Sequence, residues 1–184
     1  CSVSVGVCGE VKKKDFLSRS GAKVGDSVFV SGILGLSKLG LKVLKNKEKN
    51  LSSTNKKYLK KFLKPKVHQS LGVHLRGIAT SCIDISDGLI GDLGHICKLS
   101  RVGAKLYYAS IPYEGSFQDA LTWGDDYELC FTVPKHKLQR IPDIEKALKI
   151  KLFKIGEIVK EKKIRVFNEE TELFFKKNSY NHFS

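Results

Sequence analysis

The chain has 184 residues, of which 41% are hydrophobic and 28% charged, and a formal net charge of +14. That length suits one domain with a real core, the composition is that of an ordinary soluble globular protein, and no apolar stretch reaches membrane-spanning length. The five cysteines (Cys1, Cys8, Cys82, Cys97 and Cys130) include no Cys-x-x-Cys pair, and no basic leader marks a signal peptide, so a disulfide scaffold and a zinc site are not expected and a reducing cytoplasm is.

In chain order, residues 2–7 alternate Val3, Val5 and Val7 and predict a strand. Residues 23–26 carry a turn signal, followed by an apolar strand over 27–31. A helix is expected over 32–45, with Leu36, Leu39, Val43 and Leu44 on one side. The polar residues 46–57 predict a mobile loop, and 58–63 a short helix ending before Pro65. Residues 72–77 suit a helical turn or two, and 79–83 a short buried strand. From Asp87 the period changes: Leu89, Ile90, Leu93, Ile96 and Cys97 share one helical face. Val102 and Gly103 suggest that helix's C-cap, with a strand over 105–111. Another strand is expected over 128–133, a helix over 135–149 interrupted at Pro142, and closing strands over 153–159 and 163–167. Strands and helices interleave without repeats, which gives an α/β or α+β class.

Charge is unevenly placed. Lysines crowd into 42–66 and 135–165, whereas 80–130 holds Asp84, Asp87, Asp92, Glu114, Asp119, Asp125, Asp126 and Glu128 against Lys98, Arg101 and Lys105. Acids concentrated within a basic protein point to a cation site. The basic regions lack interleaved aromatics or a recognisable nucleic-acid module, so they read as a solvated lysine-rich surface rather than a nucleic-acid interface.

The run Cys82 to Leu89 puts Asp84, Ser86 and Asp87 at a strand–helix junction. Ser86 or Asp87 could cap the helix. A helix N-terminus favours an anion such as phosphate, but the two carboxylates would repel a bare one. Magnesium resolves that conflict, because it binds one or two carboxylates together with phosphate oxygens. The alternative is a cap and turn with spare acids. A second acidic segment, Trp123-Gly124-Asp125-Asp126-Tyr127-Glu128-Leu129, precedes an apolar run. There is no P-loop pattern, and the segment 31–35 reads as a plain strand–helix turn. Asp92 reads as a solvated or structural acid, His95 as a satisfied helix histidine and His182 as structural, and Cys82 has no evident base partner for thiol chemistry.

Together the two acidic segments resemble the thiamine-monophosphate kinase family, which carries a DISDGL segment, a later G(E/D)DYEL segment and a Gly-aromatic-x-His-Phe tail. Here the tail reads Ser179-Tyr180-Asn181-His182-Phe183, and residues 19–26 and 71–79 are also similar to the family's. The resemblance implies one AIR-synthetase-like C-terminal domain over 1–184, a mixed β-sheet covered by helices. It implies ATP-dependent phosphorylation of thiamine monophosphate to thiamine diphosphate, with Mg2+ on Asp84 and Asp87 and ATP contacts from Arg19 and Ser86. Glu128 and Tyr180 match substrate-contacting positions, a carboxylate and an aromatic face suited to the cationic thiamine moiety, although Ser179 replaces the family's glycine. A homodimer is implied for the full-length enzyme. Family members carry an N-terminal domain that nothing here matches, Cys1 is not a start residue, and Met is absent. The expectation is therefore the C-terminal part of an enzyme, incomplete for catalysis alone. Two alternatives stand beside it: another ATP-dependent enzyme of the superfamily, which GDDYEL and the His-Phe tail argue against, and a non-catalytic remnant binding thiamine phosphates or a partner protein.

Overall fold

The computed structural model describes residues 3–47 and 50–175. Its strands are β1 (Ser27–Val30), β2 (Ser81–Asp84), β3 (Gly103–Tyr107), β4 (Leu129–Val133), β5 (Phe153–Val159), β6 (Ile164–Asn168) and β7 (Thr171–Leu173). They form one sheet in the order β2-β4-β1-β5-β3-β6-β7, antiparallel throughout except for the parallel β3–β6 pair. The α-helices are α1 (Leu36–Asn46), α2 (Ser53–Leu63), α3 (Gln69–Leu75), α4 (Leu89–Ser100), α5 (Phe117–Thr122) and α6 (Ile141–Leu148). This is the expected mixed sheet covered by helices.

Alternation along the strands divides the apolar side chains between two cores. Val28 and Val30 of β1 join Ile83, Leu106 and Ile155 on the face covered by Leu89, Leu93 and Ile96 of α4. Phe29, between them, points to the other face with Phe131 and Val133, under Leu71 and Leu75 of α3 and Ile141 and Ile144 of α6. Phe29 and Phe131 stack there with ring centroids 5.5 Å apart. Each such fully buried side chain contributes about 1.5–3 kcal/mol, so helix packing on the sheet dominates the stability of these short elements.

Several local expectations are corrected. Much of the predicted loop at 46–57 is helix: Asn46 closes α1, and α2 begins at Ser53, where the Ser52 side chain accepts from Asn55 N at 3.1 Å. This polar helix packs on α1 because Gly40 leaves room, a Cβ there falling 2.3 Å from the Tyr58 carbonyl oxygen. Residues 3–7 form no strand, and Val3, Val5 and Val7 stand exposed, so the alternation has no sheet partner among the described residues. The C-cap of α4 is Arg101, in the left-handed region at φ 59. Gly103 instead opens β3, which stops at Tyr107 and gives way to a 3-10 turn rather than running to residue 111. Pro142 sits in the first turn of α6, where its missing N–H costs nothing, and the residues before it form a separate 3-10 segment, Lys135–Arg140. The three-residue β7 was not foreseen. Among the described residues no helix is long and apolar enough to cross a membrane.

Gly103 is a close-approach glycine. A Cβ at this position would lie 1.8 Å from the Glu161 carbonyl oxygen, so backbone must move to admit it. Gly103→Ala is expected to cost about 1–3 kcal/mol, the range for overpacking, and to lower the urea midpoint without changing the slope. An unchanged midpoint would contradict the contact.

Candidate active site

The two acidic segments, 40 residues apart in sequence, are neighbours in space. β2 ends with Asp84 paired to Leu129 of β4. Beyond that pair the chains continue side by side. Ile85 N donates to Glu128 O at 2.7 Å, Tyr127 N to Ile85 O at 2.8 Å, and Asp125 N to Ser86 O at 3.0 Å. Gly124 is obligatory at this crossing, since a Cβ would fall 1.8 Å from Ser86 O. Asp125 and Tyr127 adopt left-handed backbone, φ 65 and 49, a sparsely used conformation that clusters at functional sites. The result is a rim carrying Asp84, Asp87, Asp125 and Tyr127. Their proximity is felt electrostatically: the Tyr127 hydroxyl is pushed up by burial, and further by Asp125, Asp84 and Asp87.

Neither Ser86 nor Asp87 caps α4, contrary to expectation. Gly88 is the N-cap residue, at φ 103, and no side chain bonds there. The buried Asp92 carboxylate, one turn in, reaches back instead and accepts from Ser86 N and Asp87 N, each at 2.9 Å. Of the two readings its sequence left, solvated or structural, Asp92 is the structural acid, and it braces the loop bearing the other two. Burial, with the charges of Asp87 and Asp84 adding to it, pushes its carboxyl up to about 6 against the bonds from those two amides. The Ser86 hydroxyl and the Asp84 and Asp87 carboxylates, all half-buried, make no hydrogen bond or ion pair among the described residues. They are free to meet a ligand.

The other acids of the second segment turn inward. Asp126 is fully buried and accepts from Gly35 N at 2.7 Å and Ser37 N at 3.1 Å, neutralising the N-terminus of α1. Burial pushes its carboxyl up, and those bonds pull it back. Glu128 is buried as well. Its carboxylate accepts from Ser31 Oγ at 2.6 Å, pairs with Lys61 of α2, and lies 2.8 Å from His68 Nε2. The His68 contact is a close approach without the alignment of a hydrogen bond, since the ring nitrogen has no hydrogen-bond partner among the described residues. Burial alone would raise the Glu128 carboxyl, yet His68, Lys61 and Ser31 together hold it down at about 2. The segment 31–35 serves these acids: a Cβ on Gly32 would lie 2.6 Å from the Glu128 carboxyl carbon, and Gly35 supplies the left-handed N-cap of α1.

A cleft of about 800 Å³ opens beside the rim, with Arg19, Lys66, His68, Asp84 and Tyr127 in its wall. Arg19 is exposed and is set next to β2 because Ser18 O accepts from Cys82 N at 2.9 Å. Ser86 and Asp87 lie on the rim rather than in the cleft lining. Tyr180 and His182 fall outside the described residues. Cys82 also lines the cleft, but burial and the Asp84 charge push its thiol up to about 12, which leaves no thiolate for nucleophilic chemistry. Lys61 and His68 were not anticipated from sequence, and Asp126 was noted as part of the acidic segment but not as the partner of the α1 N-terminus. A lysine in a polar helix and a histidine before a short one carry no local signal of a buried partner 60 or more residues away.

Among the described residues no group of three or more His, Cys, Asp or Glu side chains is arranged to hold a metal ion. Magnesium does not require one. It keeps several waters and takes one or two carboxylates plus phosphate oxygens, and Asp84 and Asp87 are hard oxygen donors without internal partners.

The two perturbed carboxyls have opposite pH signatures. The Glu128 value of about 2 lies below its ordinary 4.5, so its contribution is full above 4.5 and lost as pH falls toward 2. The Asp92 value of about 6 lies above its ordinary 3.8, so its contribution is full below 3.8 and lost as pH rises through 6. In urea melts across this range, Glu128→Gln should narrow its deficit relative to wild type as pH falls, and Asp92→Asn as pH rises. Deficits independent of pH would contradict both assignments.

Comparison with known proteins bears on this site. The family described as AIR synthase related protein, C-terminal domain, matches residues 23–168. The chain is 40% identical, over 99% of its length, to the thiamine-monophosphate kinase of Buchnera aphidicola subsp. Schizaphis graminum (strain Sg), covering 60% of that protein. It is 42% identical to the thiamine-monophosphate kinase of Escherichia coli (strain K12), over 73% of this chain and 45% of that one. The solved structure of AaThiL complexed with AMPPCP and TMP superimposes with a TM-score of 0.77 at 27% identity, over 91% of this chain and 54% of that one. The chain thus spans at most 60% of the length of these relatives. The matched region holds β1 to β6 and both acidic segments, and the chain belongs to the family of AIR synthase related proteins, C-terminal domain.

Proposed function

We propose that this chain is the C-terminal part of a thiamine-monophosphate kinase, which transfers the γ-phosphoryl group of ATP to the phosphate of thiamine monophosphate and gives thiamine diphosphate and ADP. The observation that carries this reading is the rim itself, where Asp84, Asp87 and Asp125 gather beside a cleft bearing Arg19. It is supported by the relatives of that name and by AaThiL, solved with AMPPCP and TMP.

Phosphoryl transfer needs positioning and charge neutralisation more than covalent help, and no side-chain nucleophile is assigned here. Asp84 and Asp87 would hold Mg2+, which neutralises phosphate charge when bound. The Arg19 guanidinium binds phosphate oxygens from the cleft wall, and the Ser86 hydroxyl contacts ATP from the rim. Asp92 fixes the 86–87 backbone so that these groups keep their spacing. Tyr180 offers the thiazolium an aromatic face. Glu128, which matches a substrate-contacting position, has its carboxylate already engaged by Lys61, His68 and Ser31, so in this chain it braces the rim. The enzyme is assigned as a cytoplasmic homodimer. The free Cys8, Cys82, Cys97 and Cys130 suit a reducing compartment.

The test is turnover of ATP and thiamine monophosphate with magnesium by the complete enzyme, wild type and Asp84→Asn. The variant should fold normally and lose about 100-fold or more in kcat, the order lost with one preorganised charge-handling group. Wild-type turnover at saturating magnesium would remove Asp84 from the metal site.

A further inference from the structure

The geometry points to Lys61 and His68 as positioning residues that hold the acidic rim in register through Glu128. Their side chains are 13% and 6% exposed and converge on a carboxylate that is 8% exposed. Lys61 comes from α2, a helix with no buried residue, and it is this helix's deepest ionic contact. His68 stands at the N-cap of α3 and forms part of the cleft wall. The anchor they make has a direct mechanical link to the rim. The carbonyl of Glu128 accepts from Ile85 N, the preceding residue Tyr127 donates through its N–H to the Ile85 carbonyl, and Asp125 N donates to the Ser86 carbonyl. Displacing the Glu128 side chain therefore shifts the backbone that spaces Asp84, Asp87 and Asp125.

The charge balance points the same way. Without Lys61 the buried carboxylate keeps only Ser31 and His68 beside it and loses its ammonium partner, and breaking a buried pair by removing one partner is strongly unfavourable. Relief by swinging Glu128 toward the cleft breaks the crossing. Lys61 also lowers the otherwise raised carboxyl of Asp126, so the same ammonium steadies the cap of α1. Arg at position 61 keeps the charge and the donors, whereas Met keeps only the length.

Amide hydrogen exchange on the full chain reads the positioning directly. Lys61→Met should accelerate exchange at Ile85, Asp125 and Tyr127 by about tenfold or more, leave the amides of the β1–β5 ladder unchanged, and be rescued by Lys61→Arg. Should Lys61→Met fail to fold, Lys61→Gln, which keeps a donor without the charge, is read in its place. The consequence for the cleft rests on the proposed metal role of Asp84 and Asp87: Mn2+ affinity, titrated by electron paramagnetic resonance, should fall with Lys61→Met and return with Lys61→Arg. Unchanged exchange at the three rim amides, or equal acceleration in the β1–β5 ladder, would overturn the positioning role. Mn2+ binding indifferent to Asp84→Asn would count against the metal reading alone and leave the exchange result standing.

Discussion

Everything at the candidate site depends on the continuation of the β2–β4 pairing past the end of its ladder. Three backbone hydrogen bonds, from Ile85, Tyr127 and Asp125, carry the two chains alongside each other as both leave the sheet. An antiparallel pair normally ends in a turn or splays apart. Here it is kept closed by the missing side chain of Gly124 and by left-handed backbone at Asp125 and Tyr127. Such conformations persist only where the surroundings over-determine them. The surroundings are two acids that reach inward from either chain: Asp92 behind the 86–87 amides, and Glu128 behind the other segment.

The acids of this pole divide by role according to what neutralises them. Asp126 meets the amides at the start of α1. Glu128 meets a lysine, a histidine and a serine. Asp92 meets two amides of its own loop and is held closest to neutrality, near 6. Asp84 and Asp87 have no internal counter-charge, and the rim gathers them where Tyr127 and Asp92 sense both. Unpaired carboxylates gathered at the rim of a cleft, with perturbed buried ones behind them, are the pattern expected where a cation and phosphates meet. The inward acids supply rigidity, and the outward ones remain available for chemistry.

The sequence carried the type and order of most elements, because strand and helix periods survive in apolar positions such as Val28, Leu93 and Ile155. It misplaced what depends on distant partners. Ser53 to Lys57 look like loop because the first turn and a half of α2 carries no apolar residue, and the helix docks where Gly40 admits Tyr58 and Phe62 and where Lys61 meets Glu128. The 3–7 alternation looks like a strand although nothing described pairs with it. Both acidic segments were visible as chemistry, but their adjacency was not, since a hydrogen bond between residues 85 and 128 leaves no trace in either stretch. For the same reason Ser86 and Asp87 looked like caps, while the carboxylate actually used was Asp92, one turn further on.

The central claim is that the two segments form one cation-binding unit. Paramagnetic broadening by Mn2+, a stand-in for magnesium, tests it most directly in NMR spectra of the chain. Low Mn2+ should broaden amides in both 84–88 and 123–128 together, and magnesium should reverse the effect at both. Broadening confined to one segment, or scattered over surface acids such as Glu161 and Glu172, would contradict it.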